Sequence, residues 1–139
     1  MSDLPSPTPR EMEILKVLWE RGPSSVRTVQ DHLAPRERGD EKAAYNTVQT
    51  LLRIMEEKGL VKHRLKGRTF VYTPCFSRDQ SAARFLERVF DGAADQLVLS
   101  LLRSERIHKD ELKRMQDMIA EARHKKTAGK SAQSLGDNR

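Results

Sequence analysis

Apolar and polar positions alternate along this chain in a way that predicts helices, one hairpin, and then helices again. Met12, Leu15, Leu18 and Trp19 recur at helical spacing with Ile14 beside them, so one stripe of a first helix faces a core. Thr8-Pro9-Arg10-Glu11 opens that helix: Thr8 can cap it, Pro9 suits the first helical position, and Glu11 completes a capping box. Gly22-Pro23 stops it. A short second helix, capped by Ser24 or Ser25, turns Val26, Val29 and Leu33 inward and ends before Pro35. A highly charged loop, residues 36–42, leads onward.

The stretch from Ala44 to Pro74 is the most informative. Val48, Leu51, Leu52 and Met55 fall at i, i+3, i+4 and i+7, which gives a third helix an apolar stripe. At ~100° per residue, its far side carries Asn46, Thr50 and Arg53, with Thr47 and Gln49 on the flanks. These five can hydrogen-bond base edges or phosphates, and the helix holds no acid before Glu56 and Glu57. Gly59 is placed to end it as a C′ residue. Two β-prone runs follow, Leu60 to Leu65 and Arg68 to Thr73, around Lys66-Gly67. Lys62, Arg64, Lys66 and Arg68 crowd into this hairpin, and residues 60–74 contain no Asp or Glu. Cations gathered without counter-charge on a ribbon call for a nearby polyanion, although lysines and arginines also guard exposed strand edges. Three helices and a basic hairpin within about 70 residues predict a winged helix-turn-helix, with one helix in the major groove and the ribbon on phosphates.

The second half changes character. Ser77-Arg78-Asp79-Gln80 forms another capping box, opening a helix with Ala82, Phe85, Leu86, Val89 and Phe90 up to Gly92. A helix from about Ala93 to Ser104 is apolar on nearly every side through Leu97, Val98, Leu99, Leu101 and Leu102. A third, from about Lys109 to Lys126, shows Leu112, Met115, Ile119 and Ala122 at helical spacing. So few residues cannot bury so leucine-rich a segment among themselves. The helices are expected to pack either on the winged domain or, the preferred reading, on another copy, with Phe85, Val89, Leu97, Val98, Leu101, Leu102, Leu112, Met115 and Ile119 at a homodimer interface. The expected fold is thus mainly α with a small β-hairpin. Residues 1–76 form a winged-helix DNA-binding domain, 77–126 a helical dimerisation domain, and 127–139 a polar, aperiodic and disordered tail.

Composition narrows the function further. The 139 residues carry a formal charge of +6, which favours an anionic partner. The excess is spread out, with 13 basic against 10 acidic residues in 1–76 and 11 against 9 in 77–126, so local density in the hairpin matters more than the total. The lone cysteine, Cys75, excludes an intrachain disulfide and fits a reducing cytoplasm. No run of ~18 apolar residues exists to span a bilayer. His32, His63, His108 and His124 are scattered without paired cysteines, so no metal or other cofactor is expected. Each histidine reads as a surface residue, and His63, within the wing, could touch phosphate. No phosphate loop, nucleophile elbow or carboxylate pair is present, and an enzyme is not expected. The alternative to a DNA-binding repressor is a winged helix that docks a protein with the same face and never meets DNA.

The blocks PTPREMEILKVLWERGPSSVRTVQDHL, AYNTVQTLLRIMEEKGLVKH, KGRTFVYTP and FDGAADQLVLSLL together resemble the penicillinase-repressor family of bacteria, from about Pro7 to Ala122. The resemblance implies a dimeric winged-helix repressor on a palindromic DNA operator, in antibiotic-resistance regulation alongside a membrane sensor. It puts operator contacts on Asn46, Thr47, Gln49, Thr50 and Arg53 and on the Arg64–Arg68 part of the wing. Three departures qualify it. Resistance repressors of this family are cleaved between Asn and Phe in the leucine-rich helix, where this chain has Ser100-Leu101. Copper-responsive members carry a C-terminal cysteine cluster that is missing here. Many members have Arg one position after Arg53, where Ile54 stands.

Overall fold

The computed structural model describes residues 6–33 and 44–136; the charged loop expected over residues 36–42 lies outside them. In chain order the elements are α1 (Pro9–Arg21), β1 (Ser24–Ser25), α2 (Val26–His32), α3 (Tyr45–Glu57), β2 (Val61–Lys66), β3 (Thr69–Pro74), α4 (Arg78–Phe90), α5 (Ala94–Arg103) and α6 (Lys109–Gly136). They divide into two compact units, Met1–Arg84 and Phe85–Arg139. The fold is a winged helix-turn-helix followed by a helical domain. The division falls inside α4 rather than at the expected 76/77 boundary. The start of α4 belongs with the first unit because the Arg84 guanidinium lies 5.1 Å from the centre of the Phe76 ring, a cation–π contact.

In the first unit, α1 starts as its sequence dictates. The Thr8 hydroxyl accepts the Glu11 backbone N–H at 3.2 Å, and the Glu11 carboxylate accepts the Thr8 N–H at 2.8 Å. Ser25, not Ser24, caps α2 by accepting the Thr28 N–H. Ile14, Leu15, Val17 and Leu18 of α1 meet Val26, Val29 and Leu33 around α2 and Val48, Leu52 and Met55 of α3. Met12, Trp19 and Leu51 are partly buried at the margin of this core. Trp19 donates its indole N–H to the Phe76 carbonyl at 2.9 Å, which ties the end of α1 to the exit of the hairpin. Glu11 is buried as well, and both its oxygens receive Lys58 Nζ from the end of α3, at 3.0 and 2.9 Å.

The sheet is antiparallel with order β1-β3-β2. β1 pairs Ser24 with Tyr72 and Ser25 with Val71. This two-residue strand has no periodicity to read and was not expected. α3 stops in a Schellman arrangement: Gly59 takes φ +80°, its N–H reaches the Glu56 carbonyl, and Leu60 N–H reaches Met55. The chain is thereby aimed directly into β2.

In the second unit, Ala94–Arg103 and Lys109–Gly136 are helical as expected in position, but α6 runs well past Lys126. The disordered tail expected over 127–139 is thus helical as far as Gly136. Ala, Lys, Gln and Leu beyond Thr127 favour helix and no proline interrupts them, while the Thr127 hydroxyl donates to the Arg123 carbonyl at 2.9 Å. No residue of α5 is buried. Phe85, Val89, Leu101, Leu102, Leu112 and Ile119 are exposed, as is Met118, and Leu97, Val98 and Met115 are half-buried.

Candidate nucleic-acid interface

The two faces of α3 separate cleanly. Val48, Leu52 and Met55 have no exposure at all, whereas Asn46, Thr47, Thr50 and Arg53 are exposed and Gln49 is half-buried. Ala44 caps the helix with no side-chain hydrogen bond, and the first turn holds no acid. The N–H groups of that turn therefore keep their capacity and partial positive charge for an incoming anion.

The wing follows from strand alternation. β2 and β3 pair Val61 with Pro74 through to Lys66 with Thr69, and Gly67 (φ +66°) occupies the first of the two turn positions, where a II′ hairpin needs a residue without Cβ. Successive side chains point to opposite faces. Lys62, Arg64 and Lys66 therefore share one face of β2, and His63 and Leu65 share the other. All four wing cations are exposed, but they do not form one set, since Arg68 sits in the turn itself. Lys62 and Arg64 border a shallow depression with Pro23, His63 and Thr73.

His63 is tied to α3 through its backbone N–H and its Nδ1. The Glu56 carboxylate accepts its backbone N–H at 2.8 Å and its ring Nδ1–H at 2.7 Å. The hairpin contains no acid of its own, but α3 provides one at its base, so the cation cluster is partly countered there. Tyr72, opposite His63, is buried. Burial raises the pKa of its phenol, and the negative charge of Glu56 raises it further; Arg53 acts against this and Tyr45 adds to it. The phenol stays neutral, and Arg53, Glu56 and Tyr72 form one electrostatic neighbourhood where α3 meets the wing.

The geometry brings Gln49 and Arg68, distant in sequence, into one open groove. Its walls are Ser25, Val26 and Arg27 from the start of α2, Tyr45 and Gln49 from α3, and Arg68, Thr69 and Phe70 from the wing. Two arginines line it and no acid does. Arg27 and Tyr45 escape sequence reasoning, because nothing local distinguishes them from ordinary helix-surface residues; only the fold sets them opposite the turn. Among the described residues no group of three His, Cys, Asp or Glu is placed to hold a metal ion, and no helix is long and apolar enough to cross a membrane.

A family model described as penicillinase repressor matches residues 7–121. Similar curated proteins include the penicillinase repressor of Bacillus licheniformis, 26% identical over 130 residues, covering 91% of this chain and 98% of that protein. The methicillin resistance regulatory protein MecI of Staphylococcus aureus is 19% identical over 113 residues, 78% of this chain and 89% of that one. Among solved structures, the monomeric form of Bacillus licheniformis BlaI in complex with the blaP half-operator is 29% identical. It covers 57% of this chain and 92% of its own, with a TM-score of 0.45.

Proposed function

The chain belongs to the penicillinase repressor family, and on that premise we propose that it is a DNA-binding transcriptional repressor acting as a homodimer on a palindromic operator. The observation that carries this reading is the acid-free groove in which Gln49 of α3 and Arg68 of the wing turn lie together. A base-reading helix and a phosphate-holding wing must be adjacent to engage one duplex. In this reading Asn46, Thr47, Gln49, Thr50 and Arg53 face base edges and nearby phosphates. Arg68, with Arg27 and Tyr45 on the opposite wall, holds the backbone, and Lys62, Arg64 and Lys66 add attraction along the outer face of the wing.

The exposed leucines of the second unit, with Phe85, Val89 and Ile119, are the dimer surface. A two-fold dimer sets two α3 helices in successive major grooves, ~34–36 Å apart for one helical turn. Repression ends by proteolysis at Ser100-Leu101, driven by a membrane sensor. That bond lies inside α5, so a protease needs α5 to open locally before it can cut. The protein acts in the cytoplasm, needs no cofactor and catalyses nothing itself.

A salt titration against a mixed-sequence duplex tests the reading. Phosphate contacts release counterions, so log K falls steeply with log[salt]. A flat line would overturn DNA binding and leave the winged domain as a protein-docking module.

A further inference from the structure

The charge pattern of α6 changes sharply after Glu121, which is also where the family match ends. From Lys109 to Glu121 the helix mixes signs, with three basic and four acidic residues, as a solvated helix face ordinarily does. Residues 122–136 then carry Arg123, Lys125, Lys126 and Lys130, with His124 among them, and no Asp or Glu. Arg123, His124, Lys125 and Lys126 are exposed. Lys125 is countered, since its Nζ lies 3.4 Å from the Glu121 carboxylate one turn back. Arg123 and Lys126 have no such neighbour. The positions three and four away on either side of them hold Ile119, Ala120, Ala122, Thr127, Gly129 and further cations. Three apart on one side of a helix, the two repel each other. The helix dipole does not account for them: it favours cations in the last turn, and the last turn of α6 contains none. Lys126 stands more than two turns before Gly136, where the helix ends.

We propose that the Arg123–Lys126 face of α6 is a second contact with the DNA phosphate backbone, separate from α3 and the wing. The inference rests on the DNA-binding reading above and extends it to the helical unit. Like charges held side by side on an ordered helix are relieved by a polyanion, and duplex DNA supplies one negative charge per ~1.7 Å of its axis. Arg123, Lys126 and Lys130 fall at i, i+3 and i+7, on one side of the helix. At 1.5 Å of rise per residue these positions extend over ~10 Å, the axial distance of about three phosphates of one strand. Charge alone reads no bases, so the contact strengthens binding to every sequence equally. The winged unit delivers the ligand. Once it is seated on a duplex, the rest of the same chain meets phosphates at a high effective concentration.

The test titrates wild type, Arg123→Gln/Lys126→Gln and the charge-retaining Arg123→Lys/Lys126→Arg across a range of salt. Each is measured on a long mixed-sequence duplex and on the chain's own promoter fragment. The glutamine variant is expected to lower the salt slope by about two units, one for each lost phosphate contact, and to do so on both duplexes alike. The charge-retaining variant is expected to keep the wild-type slope. An unchanged slope in the glutamine variant overturns the proposal, as does a loss confined to the promoter fragment, the mark of base reading. A charge-retaining variant that falls with the glutamine one overturns it too. So does a shift in the oligomeric state of the glutamine variant, because the face would then be a contact between copies. In a second arm, wild type is labelled with an amine-acylating reagent, free and saturated with the mixed-sequence duplex. DNA is expected to protect Lys126 and to leave Lys113, in the half of α6 with mixed signs, as reactive as before. A Lys126 equally reactive in both states overturns the proposal even if the glutamine variant fails to fold. Protection by polyglutamate but not by the duplex overturns it in favour of an acidic protein partner. If wild type shows no salt-dependent binding to either duplex, the DNA-binding reading itself has failed, a result distinct from all of these.

Discussion

The Glu56 carboxylate, in the last turn of α3, accepts both the backbone N–H of His63 on β2, at 2.8 Å, and its ring Nδ1–H, at 2.7 Å. One side chain therefore fixes the angle between the helix proposed to read bases and the wing proposed to hold phosphates. Glu56→Ala should free the base of the hairpin. Both partners are partly exposed, so the cost is about 1 kcal/mol in urea unfolding. The His63 amide should also exchange faster with solvent in the variant. An amide that stays as protected as in wild type would mean that other contacts hold the wing.

The Glu11–Lys58 pair clamps the start of α1 to the end of α3. Burial of Glu11 opposes its ionisation, but the Thr8 backbone N–H, the Lys58 ammonium and the Thr8 hydroxyl outweigh it, and its pKa lies below the ordinary glutamate value. A carboxylate whose pKa is depressed on folding contributes stability that is complete above its unfolded-state pKa and disappears as pH falls through the folded value. Lys58→Met leaves a buried charge without its ion partner. The loss at neutral pH should be about 2–3 kcal/mol, below the usual figure for a buried pair because Lys58 remains partly exposed. The gap between wild type and variant should close as pH falls below the ordinary glutamate range. Unfolding curves taken from acid to neutral pH check this, and a gap of constant size would refute the electrostatic account.

Most of the first unit was legible from residue spacing because each signal there is local. The Thr8–Glu11 box, the Val48–Leu52–Met55 stripe, the Gly59 stop and the Gly67 turn each need only a few neighbouring residues, and each is present. What the sequence hid depends on distant segments meeting. Ser24 and Ser25 form a strand only because Tyr72 and Val71 offer a free edge, and Arg27 and Tyr45 become candidates only when the wing turn arrives opposite them. The sequence crowds the wing cations into one cluster, yet the period of two divides them, and Glu56 counters the base of the hairpin from outside it. Helix α6 continues past Lys126 without an apolar stripe in the sequence, because backbone helicity also follows residue propensity.

Arg27 and Arg68 should behave as phosphate contacts and Arg53 as a reader of sequence. Arg27→Ala and Arg68→Ala should each weaken binding about equally on all duplexes and lower the salt slope by about one unit. Arg53→Ala should instead narrow the difference between operator and random DNA by about 1–3 kcal/mol. Parallel titrations on the chain's own promoter fragment and a scrambled fragment separate the two classes. If Arg53→Ala leaves the difference intact, base reading belongs to other residues of α3.

Leu101 tests the proposed dimer. It lies on α5, 37% exposed, in a helix without one buried residue, although Leu97, Val98, Leu99, Leu101 and Leu102 follow within a few positions. An apolar surface of this density needs a partner to exclude water, and a second copy supplies the same surface by symmetry. An aspartate at an exposed site is tolerated in a monomer, but within a dimer it buries a charge without a counter-ion. Leu101→Asp should therefore sediment as a monomer with its winged unit still folded. Its affinity for a palindromic site should drop by about a hundredfold or more, because two linked winged units bind far better together than singly. Its affinity for a single half-site should stay at the wild-type level. A variant that remains dimeric would move the interface elsewhere. A monomer that binds the full palindrome as tightly as wild type does would remove the need for a dimer in operator recognition.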